Sequence, residues 1–210
     1  MKLFDFGPAA NAQRVRVFIR EKGIEIPTEQ LNVREGKQFL EPFTSMNPFH
    51  CVPFLELDDG TVISESISIC RYLEEIYPDP ALFGTTAETR ATIDMWLRRF
   101  ELDGFLPMLH AVRNHVENFK GRVIPGTRTD LPQSPEMVTR GIEMGKVFLE
   151  RIEPHMSENE FVVGSCFSVA DITAFFTIKL TTPLKIDINS SYPGVATWMD
   201  RVSKREAFNI

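Results

Sequence analysis

Residues 51–66 read CVPFLELDDGTVISES, and a proline stands at the mouth of a strand. Val52 to Leu57 alternates apolar and polar as a half-buried strand does, Asp59-Gly60 supplies a two-residue hairpin turn, and Thr61 to Ile63 returns as a second strand. Proline has no N–H for a ladder and a fixed φ, so Pro53 fits only a first strand position, an edge or a cis bond. The backbone at Val52 is thereby released from its own sheet. Its N–H and C=O can take an extended peptide as an extra strand.

Upstream, residues 2–6 read as a strand and 11–22 as a helix, with Val15, Phe18 and Ile19 on one face and Gly23 as the stop. Residues 28–33 read as a second strand. A polar loop, REGKQ, then leads to a short helical piece, FLEPFTSM, before Asn47-Pro48. Downstream of the hairpin, residues 65–76 carry Ile67, Ile69, Cys70, Leu73 and Ile76 at helical spacing and stop before Pro78. The first eighty residues are therefore βαβ followed by ββα. Beyond YPDPALFGTT no strand is convincing: helical patterns cover 87–120, bent near Gly104 and Pro107, then 135–156, 168–180 and 195–204. The plan is an α+β domain over 1–80 and an all-helical domain over 87–210, joined through 77–86.

Composition narrows the function classes. A chain of 210 residues, 43% hydrophobic and 25% charged, folds rather than staying disordered. The net charge of −6 offers no general attraction for a polyphosphate, so nucleic acid is not an expected partner. The richest apolar run, VADITAFFTIKL, carries Asp171 and Lys179 and is far short of the roughly 20 residues of a membrane span. The opening MKLFDFGPAA is too short and polar for a secretory leader. Cys51, Cys70 and Cys166 are scattered and odd in number, which suits reduced thiols in a cytoplasm; with His50, His110, His115 and His155 in no ligand spacing, no metal is expected.

Two stretches carry candidate chemistry. SES at 64–66 opens a helix, where unpaired N–H groups and the helix dipole favour a carboxylate and the Ser66 hydroxyl adds a donor; the plainer alternative makes Ser64 an N-cap with Glu65 in the first turn. In GSCFSVADITAFF, Ser168 and Asp171 have the spacing of a capping box before an apolar helix, a structural signature rather than a catalytic one.

In order and spacing, NPFHCVPFLELDDGTVISESISICRYLEE resembles the cytosolic glutathione transferases, bacterial in type and theta- or nu-like, and the resemblance runs over the whole chain. It implies a thioredoxin-like N-terminal domain that binds glutathione, and a helical-bundle domain that shapes the pocket for a small hydrophobic electrophile. By position, Val52 before Pro53 pairs with the cysteinyl backbone of glutathione, Glu65 and Ser66 hold its γ-glutamyl end, and Gln38 reaches the glycyl carboxylate. The implied protein is a homodimeric transferase with glutathione as co-substrate. Asp103 stands where related dimers bring an acidic residue to the glutathione amine, with Phe105 and Met108 beside the groove. An acidic side chain on a solvated face and an apolar stripe in a core are the simpler expectations for these three.

The sequence departs from the family where the thiol must be activated. Aligned on Arg14-Val15-Arg16, the usual serine position falls on Ala9, and no Tyr, Ser or Cys occurs before residue 28. Asn11 is the side chain in that loop able to donate to sulfur, as in the nu-like relatives, and the backbone amides from Ala10 to Ala12 can polarise sulfur as well. Asn11 as N-cap of the first helix is the competing reading. The missing hydroxyl keeps open a glutathione-dependent disulfide reductase or peroxidase, and a non-catalytic binding protein. Cys51, preceded by His50 in the place where relatives carry glycine and a basic or polar residue, reads as an inert small side chain.

Overall fold

The computed structural model describes residues 1–210 and divides into two compact units. The first comprises residues 1–80 with 125–127 and 210; the second comprises 81–124 and 128–209.

In the first unit, β1 (Lys2–Asp5), α1 (Ala10–Glu21), β2 (Thr28–Gln30), α2 (Phe43–Met46), β3 (Phe54–Glu56), β4 (Val62–Ser64) and α3 (Ser66–Ile76) follow in order. The sheet order is β2-β1-β3-β4, with β1 parallel to β2 and antiparallel to β3. This is the expected βαβ-ββα arrangement of a thioredoxin-like domain. β1 is a central strand, so its Leu3 and Phe4 are both buried, one on each face of the sheet. Phe4 stacks on Phe54 at 4.6 Å in a cluster with Leu31, against which Phe43, Met46 and Val52 pack. Leu3, Phe18, Leu55, Ile69 and Leu73 are fully buried, and α1 packs on α3.

β2 is shorter than the six residues its pattern predicts. Leu31 still donates its N–H to the Asp5 carbonyl at 2.7 Å, but the Asn32 side chain then accepts from the Arg34 N–H and starts a turn. At the far end of α3 the buried Lys22 ammonium pairs with Glu74 at 2.5 Å and donates to the carbonyls of Tyr77 and Pro80. The buried cation is thus compensated by one carboxylate and by carbonyls at and just beyond the end of α3.

The second unit is all helical: α4 (Ala87–Arg99), a π turn (Phe100–Phe105), α5 (Leu106–His115), α6 (Pro135–Glu158), α7 (Val169–Ile178), α8 (Ile188–Ser191) and α9 (Pro193–Ser203). All ten residues of α7 are buried, as befits the central helix of a bundle. The long pattern expected over 87–120 is interrupted by the π turn just before Pro107, and α5 ends at His115. Proline supplies no N–H and crowds the preceding turn, so the widened turn absorbs it. Beyond α5, Arg113 donates to the carbonyls of Arg122, Val123 and Ile124, giving that segment an anchor other than a helix ladder. Gly104 is dictated by contact: a Cβ there would lie 2.6 Å from the Phe148 ring.

Candidate functional site

The site in the first unit starts from a strand that begins late. β3 opens at Phe54, so Val52 lies outside the ladder, and neither its N–H nor its C=O takes part in a backbone hydrogen bond. The Val52–Pro53 bond is cis. The Val52 side chain packs on the Phe4–Leu31–Phe54 cluster, which anchors the residue while its polar backbone stays open.

The loop leading to Val52 is held from both sides. Buried Asn47 donates from Nδ2 to the Cys51 carbonyl at 2.9 Å and accepts from the Phe49 N–H at 3.2 Å. From outside, residues 125–127 lie against it: the His50 Nδ1 stands 3.3 Å from the Gly126 carbonyl. Gly126 has φ +68°, and a Cβ on it would fall 1.9 Å from the Phe49 carbonyl oxygen, so only glycine fits.

On the neighbouring hairpin strand, Ser64 ends β4, which rules it out as the cap of α3. The N-cap is Glu65, exposed and held at φ 79°, ψ 121°, a backbone region costly for a side chain with Cβ and one that collects at ligand sites. No side chain caps α3, so the amides of its first turn have no acceptor. Ser66, 3% exposed, accepts from the Arg14 Nη1 at 2.8 Å. With that acceptor position filled by a cation, its own proton is directed to another partner. Sequence reasoning used Arg14 only as an alignment anchor. An arginine on the packed face of an apolar helix was the available signal, since such a group is buried only when paired.

Gln38, in a 3₁₀ turn over Lys37–Phe39, is buried, and its Oε1 has no hydrogen-bond partner. Asn11 is not the N-cap of α1. The helix starts one residue earlier, with Ala9 at the cap in extended conformation, no side-chain cap and no acid in the first turn. Asn11 is therefore the second helical residue, half-buried, with Oδ1 enclosed and unpartnered. The amides of Ala10, Asn11 and Ala12 form an uncapped helix start. Cys70, on α3, is no rival nucleophile: burial pushes its thiol up to about 12, against the opposing charge of Arg14.

Of the residues expected in the helical unit, Asp103 is exposed in the π turn, while Phe105 and Met108 are buried. Met108 packs on Gly145 of α6, the place of a core residue.

Residues 10–76 match the family model for the glutathione S-transferase N-terminal domain and residues 132–206 that for the C-terminal domain. The crystal structure of a class Gtt2 glutathione S-transferase of Vibrio parahaemolyticus matches with TM-score 0.85 and 34% identity, over 100% of this chain and 96% of that one. The chain belongs to the glutathione S-transferase family. Among curated members, a glutathione S-transferase of Arabidopsis thaliana is 28% identical over 95% of this chain and 90% of its own length. Maleylacetoacetate isomerase of Rattus norvegicus is 26% identical over 99% and 90%. A glutathione S-transferase family member is a glutathione-dependent enzyme, with glutathione as co-substrate. Members carrying an isomerase name sit at nearly the same distance as those carrying a transferase name, so the family alone does not fix the reaction.

Proposed function

We propose that this protein transfers the glutathione thiolate to a small hydrophobic electrophile, and that glutathione lies along the first unit. The carrying observation is the unpaired backbone of Val52 beside a helix start whose Ser66 hydroxyl has its proton to give. Val52 pairs with the cysteinyl segment of glutathione as an added strand. Ser66 and the free amides of α3 hold the γ-glutamyl carboxylate, with the Glu65 carboxylate offered to its amine. The buried amide of Gln38 serves the glycyl end.

Sulfur then falls to the uncapped start of α1. A free thiol titrates near about pH 8.5, and each unit of depression is about 1.4 kcal/mol. The backbone amides at Ala10 and its neighbours, with the Asn11 side chain, supply that stabilisation in place of a hydroxyl. The thiolate attacks the electrophilic carbon; the new S–C bond forms as the leaving group departs with its electron pair, and the thiol proton goes to solvent. Asn11→Ala is expected to raise the thiol pKa of bound glutathione and reduce turnover at neutral pH about fivefold, with affinity above that pKa unchanged. Thiolate absorbance against pH checks this: coincident curves for both proteins would remove Asn11 from the site.

The absence of Ser, Tyr or Cys ahead of residue 28, with Asn11 as the side chain at the start of α1 able to donate in place of a hydroxyl, favours a second reading, glutathione-dependent disulfide reduction of the nu-like type. Parallel assays with an aryl halide and a mixed disulfide separate the two. Three free cysteines suit a reducing cytoplasm. No helix is long and apolar enough to cross a membrane.

A homodimer is also proposed. Exposed Met95, Leu102 and Leu106 form an apolar stripe along the α4, π-turn and α5 run, flanking the exposed Asp103, and Phe49 of the first unit is 72% exposed. Light scattering is expected to give the mass of two chains, and Leu102→Glu with Leu106→Glu to give one; a wild-type monomer would end this reading.

A further inference from the structure

The loop between β1 and α1 hangs from a buried carboxylate. Asp5, the last residue of β1, is 0% exposed, and its Oδ2 accepts from the Arg16 Nη1 at 2.6 Å and the Gln30 Nε2 at 2.9 Å. Asp5 and Gln30 are paired in the parallel register of β1 and β2, and Arg16 comes from α1, so one side chain ties three elements. The same partners then seize the loop. Gly7 donates its N–H to the Gln30 Oε1 at 3.1 Å. Its carbonyl accepts from the Arg16 Nη2 at 2.7 Å and from the Gln13 Nε2 at 3.1 Å. The chain runs on through an Ala9 N–H to Phe6 carbonyl bond into the uncapped start of α1. Arg34 also faces the loop, over the Phe6 ring.

A carboxylate in a central strand requires a reason, because its desolvation is costly unless it is paired and hydrogen-bonded. Asp5 is paired through Oδ2, its Oδ1 being enclosed without a partner, and what its partners do with their remaining donors and acceptors is to fix both the N–H and the C=O of Gly7. We propose that Asp5, Arg16 and Gln30 are positioning residues for catalysis: they set where the free amides of Ala10 to Ala12 and the Asn11 side chain stand relative to sulfur. They do not touch the thiol. The proposal rests on the placement of sulfur at the start of α1. It carries a sharp separation, because the groups assigned to the glutathione backbone, Val52 and Ser66, sit at the entry of β3 and on α3 and take no part in the hydrogen bonds that hold this loop.

The test uses Gln30→Ala, a change at an exposed edge residue, and Arg16→Lys, which keeps a cation beside Asp5 but loses the planar fork that reaches both Asp5 and Gly7. Two readouts are taken: calorimetric binding of S-methylglutathione, which has no thiol, and the absorbance titration of the bound glutathione thiol. In both variants the thiol pKa is expected to rise and turnover at neutral pH to fall about fivefold, with S-methylglutathione affinity within about twofold of wild type. Gln13→Ala, which removes one of two donors to the Gly7 carbonyl, is expected to show the same shift at smaller size. Thiol titrations in the variants that coincide with wild type overturn the proposal, as does a parallel loss of S-methylglutathione binding, which would mark a general loosening. A wild-type protein that binds S-methylglutathione yet leaves the thiol at its solution pKa overturns the placement of sulfur, and the positioning role with it.

Discussion

Asp171→Ala is expected to cost about 3–5 kcal/mol of stability and to lower the melting temperature by about 10 °C, the largest effect of any single substitution considered. Asp171 is fully buried at the start of α7, and its carboxylate accepts from the Val162 N–H at 2.8 Å, the Ser168 N–H at 2.9 Å, the Ser168 hydroxyl at 3.1 Å and the Trp198 Nε1 at 3.3 Å. Alanine leaves those donors without an acceptor in a place water does not reach, and each stranded buried donor costs about 1–3 kcal/mol before relaxation. Because α7 is buried on all sides, nothing local compensates.

The same residue gives a pH signature whose sign is unusual for an aspartate. Burial pushes its pKa from the ordinary 3.8 up to about 6, outweighing the four hydrogen bonds that hold it down. A carboxyl raised in the folded state contributes stability that is fully present below its unfolded pKa and is lost as pH climbs through the folded value. Wild type is therefore expected to lose on the order of 2–3 kcal/mol from this group between pH 4 and pH 6.5. Asp59, Glu136 and Asp187, each lowered by hydrogen bonds, work in the opposite direction. Denaturant melts of wild type and Asp171→Asn across that range isolate the contribution: the difference between them must depend on pH, and parallel curves would mean that Asp171 does not titrate there.

What the sequence made legible was whatever depends on local pattern. The Asp59-Gly60 turn, the alternation after Pro53, the apolar stripe of α3 and the Ser168 to Asp171 spacing each carry their own geometry, so the thioredoxin-like sheet and the central helix were readable. The same holds for Val52, because a proline announces its missing N–H. What stayed hidden depends on partners distant in sequence. Nothing near Ser66 says that Arg14, fifty-two residues earlier, fills its acceptor side. Nothing around Asp5 says that β2 brings Gln30 opposite it. Asn11 was misplaced as a cap because asparagine is a strong capping type, whereas here the α1 start is uncapped, its preceding loop held by side chains from β2 and from later in the helix. Helix ends slipped for a similar reason: at His115 the competing interactions come from Arg113 and the segment beyond it, not from a breaker at the boundary.

Ser66→Ala is expected to weaken glutathione binding by about 1.5–3 kcal/mol, or about ten- to a hundredfold in Kd, with turnover at saturation little changed. The size follows from charge on both sides of one hydroxyl. Arg14 donates into its oxygen and withdraws density from the O–H, which makes Ser66 a stronger donor toward a carboxylate, and hydrogen bonds with an ionised partner are roughly twice as strong as neutral ones. The effect falls on binding rather than on the chemical step, since the γ-glutamyl carboxylate keeps its charge unchanged through the reaction. The substitution also deprives the Arg14 Nη1 of that acceptor, so a loss of stability accompanies it, and the two consequences have to be read apart. Calorimetry with S-methylglutathione at a temperature well below both melting transitions does so: a lowered melting temperature with unchanged affinity would assign Ser66 to the support of Arg14 alone, and the carboxylate would then rest on the free amides of the α3 start.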